Sequence, residues 1–204
     1  GFDVNRLNMI FDVGALKCTK RSGQAVVVAA QGYDTSDAFL QTYEKAGSVW
    51  KRVTAPVPAV VGAAGFAAPG EKREGDHKSP SGAFPFGICF GNRPDPGVKL
   101  PYRQGDSNSY WVDDPESELY NTFQTGPADG RWNSAENLGL TGKAYDYAAV
   151  IGYNAEKPVP GMGSAIFLHI WGGPGSVTEG CTAVSEQNLL SVLRWLDPAK
   201  NPVI

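Results

Sequence analysis

The chain is poor in histidine and cysteine and has no long apolar run, and each scarcity closes off a class of function. Its 204 residues include two histidines, His77 and His169, and three cysteines, Cys18, Cys89 and Cys181. No Cys-x-x-Cys accompanies them, so a zinc site has no support and neither metal nor cofactor is expected. A site of mixed Asp, Glu and His ligands stays open, with nothing in the pattern arguing for it. No apolar stretch approaches the roughly 18 residues of a membrane span. There is no basic excess either: 18 Lys plus Arg face 21 Asp plus Glu, a net charge of -3. Nucleic acid and anionic membrane surfaces are therefore not the expected partners. No signal segment precedes Gly1, which fits a mature chain and does not by itself assign a cytosolic one.

What the chain does have is turns and aromatics. Hydrophobic residues make up 42% of it, with 25 Gly, 15 Pro, eight Tyr, nine Phe and five Trp. That balance favours short strands over long helices, and the length suits one well-buried core. An apolar patch over residues 7–16 reads as an edge strand. Residues 24–30 (QAVVVAA) are the best early strand, followed by 38–44, a hairpin at Ala46-Gly47, 48–53 and 57–62. Residues 70–86 (GEKREGDHKSPSGAFPF) read as a solvated loop, and 91–118 as a turn-rich insertion whose Tyr102, Tyr110 and Trp111 could line a groove. Strands are expected again at 120–124, 145–153 and 165–171, with loop over 125–144. A helix follows, capped by Ser185, with Leu189, Leu190, Val192, Leu193 and Leu196 on one face and Pro198 as its stop. The expected architecture is one mainly β domain with a C-terminal amphipathic helix.

The chemistry concentrates in residues 163–196, where an apolar strand carries His169, a glycine-rich loop follows, and Cys181 precedes the helix. A thiol and an imidazole at opposite ends of one loop are the components of a cysteine nucleophile and its base. The plainer alternatives are a core imidazole bonded to the backbone and a cysteine acting as a small buried hydrophobe. On the catalytic reading, ion pairing with a protonated His169 sustains a thiolate, and the N–H groups of Gly180 and Cys181 form an oxyanion hole. Trp171, Thr182 and Tyr153, near the pair, are candidate substrate contacts. His77 is a competing base, expected to be exposed. An odd cysteine count leaves at least one thiol free, and Cys18 with Cys89 is the candidate disulfide.

At these residues the sequence resembles the catalytic domain of the L,D-transpeptidases, the YkuD-type family. The family signature is a His, a spacer, then Ser/Thr-His-Gly-Cys, an apolar residue and usually Arg or Asn. The matching residues are His169 and Thr178-Glu179-Gly180-Cys181-Thr182-Ala183. The family's upstream Lys-x-Glu-Gly-Asp-x-x-Thr-Pro-x-Gly loop is matched by Lys72, Glu74, Gly75, Asp76, Ser79, Pro80 and Gly82. The spacer is short, Glu179 replaces the motif histidine and Ala183 replaces the Arg or Asn, as in a divergent branch. The resemblance covers residues 24–204 and leaves 1–23 as an addition, an extra strand or arm.

It implies a β-sandwich with the helix against it, and a secreted, periplasmic or cell-envelope protein acting on peptidoglycan stem peptides. Cys181 would attack an L,D peptide bond to form a thioester, with His169 as base, oriented by a backbone carbonyl. An acceptor amine then gives transpeptidation, and water gives L,D-carboxypeptidase cleavage. A glycopeptide-binding module without turnover is the non-enzymatic alternative.

Overall fold

The computed structural model describes residues 12–204. Its strands are β1 (Gln24–Ala30), β2 (Asp37–Ala46), β3 (Val49–Arg52), β4 (Val57–Val60), β5 (Phe66–Ala67), β6 (Ser79–Pro80) and β7 (Phe86–Gly91). They continue with β8 (Tyr102–Gln104), β9 (Ser109–Val112), β10 (Phe123–Thr125), β11 (Ala135–Asn137), β12 (Ala148–Ile151), β13 (Phe167–Ile170) and β14 (Thr182–Val184), and helix α1 (Glu186–Trp195) closes the series. The main sheet runs β1-β2-β4-β14-β13-β12-β7-β8, with β3 paired to β2. A second sheet of order β10-β9-β11 faces part of it, and β5 pairs with β6.

Side-chain alternation along the central strands sorts residues between two layers. Leu168 and Ile170 of β13, Ala149 and Ile151 of β12 and Val184 of β14 point to one side, where Leu189, Val192, Leu193 and Leu196 cover them. Ser185 caps that helix by accepting the Asn188 N–H at 3.3 Å. Full burial of each leucine contributes roughly 1.5–3 kcal/mol, which fixes the helix against the sheet. On the other side, Phe167, Ala148, Val150 and Phe90 pack with Trp111 of the small sheet, Leu138, Tyr145 and Cys181. The result is the expected mainly β sandwich with one helix near its C-terminus.

Several expectations change in detail. The part of 7–16 up to residue 11 lies outside the described residues, and Val13–Ala15 is a single 3-10 turn rather than a strand. The strand expected at 120–124 begins only at Phe123, since Tyr120 and Asn121 form a turn in which Asn121 has φ +60. Within 125–144 the chain adds β11, paired to β9. Trp111 lines no groove: it is buried, with its indole N–H donating to Asn121 Oδ1 at 2.7 Å, because β9 is the middle strand of the small sheet. No disulfide joins Cys18 and Cys89. Both are free, one exposed at the N-terminal turns and the other buried in β7 under the helix.

Candidate active site

His169 and Cys181 reach one place because β13 and β14 run parallel. The register sets Leu168 opposite Thr182 and His169 opposite Ala183, so Cys181 falls level with Phe167 and on the same face as His169. The loop between them is anchored before it reaches the cysteine: Ala63 N–H donates to the Thr178 carbonyl and Thr178 N–H to that of Val61. Both side chains line a cavity of about 520 Å³, together with Lys72, Glu74, Glu136 and Tyr145 among others.

The imidazole is held by its own strand. His169 Nδ1 lies 2.8 Å from the carbonyl of Ile170, and a carbonyl only accepts, so Nδ1 carries the proton. Nε2 then holds the lone pair, the tautomer a base requires. The Tyr145 and His169 rings stand nearly perpendicular, with centroids 5.3 Å apart.

The thiol sits in a backbone cradle. Its Sγ accepts the Phe167 N–H at 3.3 Å and donates to the Ala165 carbonyl at 3.2 Å. Ala165 adopts φ +55, a left-handed conformation that few non-glycine residues take up.

Electrostatics overturn the expected ion pair. Burial, reinforced by the Glu136 and Glu179 carboxylates, pushes the Cys181 thiol up to about 12 against the opposing Phe167 N–H and Lys72 ammonium. Burial also lowers the His169 pKa, only partly offset by its bond to Ile170. Each group is therefore neutral near pH 7, and the two do not rest as a thiolate–imidazolium pair.

The charged loop is solvated only in part: Glu71, Arg73 and His77 are exposed, while Lys72 and Ser79 turn inward. Lys72 is 4% exposed. Its ammonium donates to Asp76 Oδ1 at 2.6 Å and to the Arg73 carbonyl at 2.8 Å, while Asp76 accepts the N–H groups of Arg73 and Lys78. Burial pushes the Asp76 pKa up, and these bonds outweigh it and leave the carboxyl below its ordinary value. The coiled loop presents buried Ser79, whose hydroxyl accepts the Gly62 N–H at 3.0 Å and donates toward the carbonyls of Gly180, at 2.7 Å, and Cys181, at 3.2 Å. Glu74 accepts from Ser164 at 2.6 Å and from Tyr120 at 3.1 Å, which joins the loop to the segment leading into the His169 strand.

Of the two amides expected in the oxyanion hole, that of Gly180 donates to Thr178 Oγ1 at 3.2 Å. Among the described residues none accepts from the Cys181 N–H. Trp171, Thr182 and Tyr153 do not line the cavity. Trp171 continues the ladder into the Val184 carbonyl. Thr182 faces a separate, more apolar hollow of about 630 Å³ beside β1. Tyr153 donates to Met162 and packs edge-on against Phe84. His77, read as an exposed rival base, is exposed but stands on the rim of the same cavity. Tyr145 and Glu136 escaped the sequence reading, and a polar-tipped aromatic next to an apolar strand was the one available signal. No group of three or more His, Cys, Asp or Glu able to hold a metal occurs among the described residues.

The YkuD family model, described as the L,D-transpeptidase catalytic domain, matches residues 33–204. No curated protein and no solved structure shows a significant match.

Proposed function

The chain belongs to the YkuD family of L,D-transpeptidase catalytic domains, and from that premise we propose that it is a cysteine acyltransferase acting on peptidoglycan stem peptides, with Cys181 as nucleophile and His169 as base. The observation that supports this most is the tautomer of His169. Its Nδ1–H is committed to Ile170, which leaves the lone pair on Nε2, and His169 and Cys181 line one cavity.

In the acylation step Sγ bonds to the carbonyl carbon of an L,D peptide bond while its proton passes to His169 Nε2. The oxyanion draws on the Cys181 N–H. Collapse breaks the C–N bond, the departing D-residue amine takes the proton from Nε2, and a thioester remains. An acceptor amine then attacks the thioester, loses a proton to Nε2, and the thiol recovers it. With water as acceptor the same sequence is L,D-carboxypeptidase cleavage. Action on peptidoglycan places the protein at the cell envelope.

Incubation with defined tetrapeptide stems, followed by mass analysis of protein and products, tests the proposal. A mass increase on Cys181 and formation of cross-linked dimer support transpeptidation, and tripeptide alone assigns the carboxypeptidase. Stems that bind with neither adduct nor product sink the enzymatic reading and leave a binding module. Cys181→Ala abolishes adduct and product alike.

A further inference from the structure

Tyr145 is 5% exposed, and its ring makes steeply inclined contacts with those of Phe90, Phe167 and His169 at centroid distances of 5.8, 5.5 and 5.3 Å. Its hydroxyl donates to Glu136 Oε1 at 2.7 Å. Glu136 comes from the small sheet, where it sits opposite Trp111. Among the described residues no cation pairs with it. A poorly solvated carboxylate without a counter-charge is costly, and a backbone carbonyl would satisfy a buried phenol more cheaply.

We propose that Glu136 is a positioning residue for the general base: through the hydroxyl and ring of Tyr145, its carboxylate orients the His169 imidazole and favours the imidazolium that forms during acyl transfer. The inference rests on His169 being the base. A phenol bonded to a carboxylate is more electron-rich than a free one, and an electron-rich ring attracts a neighbouring cation. The ring thus carries the influence of the small sheet to a residue on the large one. The same carboxylate disfavours a lone thiolate at Cys181. It therefore biases the site toward handing the proton to the imidazole as the sulfur attacks.

The other ionisable groups lining the cavity are Lys72, Glu74, His77, Asp113, Glu179 and Cys181. Glu179 is exposed, and its carboxylate acts on Tyr145 without a hydrogen bond to it, so it serves as the control. Because the chain has two histidines, side-chain NMR titration of the full chain follows each imidazole separately, with His77→Gln assigning the signals.

Glu136→Gln and Tyr145→Phe should each move the His169 midpoint to lower pH, leave that of His77 in place, and lower kcat about tenfold with KM unchanged. The double variant should sit no lower than the lower single variant, since both break one chain of contacts. Tyr145→Phe keeps the ring and its packing, so it remains informative if Glu136→Gln fails to fold. A His169 midpoint unmoved by both variants overturns the proposal. So does an equal displacement in Glu179→Gln, which would assign the effect to the general field of the cavity. The titration needs no turnover, so loss of the acyl-transfer reading leaves it interpretable.

Discussion

The hydroxyl of Ser79 donates to the carbonyl of Gly180 at 2.7 Å, tying two segments 101 residues apart at the turn that presents Cys181. The Gly62 N–H donates to the same oxygen, so one buried hydroxyl fixes a strand end, the upstream loop and the Cys181 turn together. Ser79→Ala leaves a buried donor and a buried acceptor unpaired, which costs about 1–3 kcal/mol. Displacement of the turn should also cut kcat by roughly a hundredfold. Ser79→Thr, which keeps the hydroxyl, should restore most of both. Thermal unfolding and stem-peptide turnover measure the two effects separately.

Gly180 itself is constrained on two counts. It has φ +150, and a Cβ added there would stand 3.0 Å from the Lys78 carbonyl oxygen and 3.3 Å from Ile166 Cδ1. The oxygen belongs to the loop held by the Lys72–Asp76 pair and cannot rotate away as a side chain would. Gly180→Ala should therefore strain the turn by about 1–3 kcal/mol and remove measurable turnover. A variant of wild-type activity would show that the turn is free to relax and that its geometry is not the constraint described here.

The two neutral groups make opposite contributions to stability against pH. His169 has its folded pKa lowered below the ordinary 6.5, so between those values the unfolded chain binds more protons and stability rises with pH. Its contribution is complete above 6.5 and falls away in acid. Cys181 and Cys89 are both raised from 9.0 to about 12, so above pH 9 the unfolded chain loses protons first and stability declines. His169→Gln should reduce the slope of a melting-temperature profile just below pH 6.5, and Cys181→Ser should remove only its own share of an alkaline decline to which Cys89 and the buried phenols of Tyr102, Tyr120 and Tyr145, raised above the ordinary 10, also contribute. Two unchanged profiles would contradict the assignment of burial as the cause.

Much of this was legible in the chain itself, for identifiable reasons. β1 and α1 stand where the β-branched run and the Ser185 cap with its leucine face place them, because each signal is local. His169 was conspicuous as a polar residue inside an apolar strand, and Cys181 as a thiol after glycine. Lys72 and Asp76 misled because an i,i+4 charge pair in a Gly-rich loop looks the same whether it faces water or, as here, is largely shielded from it. Glu136 was illegible for a different reason. It is a lone acid with no period around it, and its meaning depends on the pairing of β11 with β9 and on the facing of two sheets, neither of which is encoded nearby.

The thiols should be countable in order. Cys18 is exposed, while Cys89 and Cys181 are buried. Native alkylation at neutral pH should label Cys18 first, and denaturation without reductant should reveal three free thiols. A count of one would restore the Cys18–Cys89 disulfide and contradict the separation of the two side chains.

Ser185 supplies the comparison that separates stability from positioning. Like Ser79 it accepts a backbone N–H, that of Asn188 at 3.3 Å, but its oxygen caps the helix and touches nothing in the cavity. Ser185→Ala should cost about 1 kcal/mol as a lost N-cap, a destabilisation within the range expected for Ser79→Ala. If stability alone governed turnover, the two variants would lose activity in proportion to their melting temperatures. Because Ser79, unlike Ser185, bonds to the carbonyls of Gly180 and Cys181, Ser185→Ala should retain wild-type kcat well below its melting temperature while Ser79→Ala does not. Parallel losses in the two variants would reduce Ser79 to a structural residue and remove the functional link between the upstream loop and Cys181.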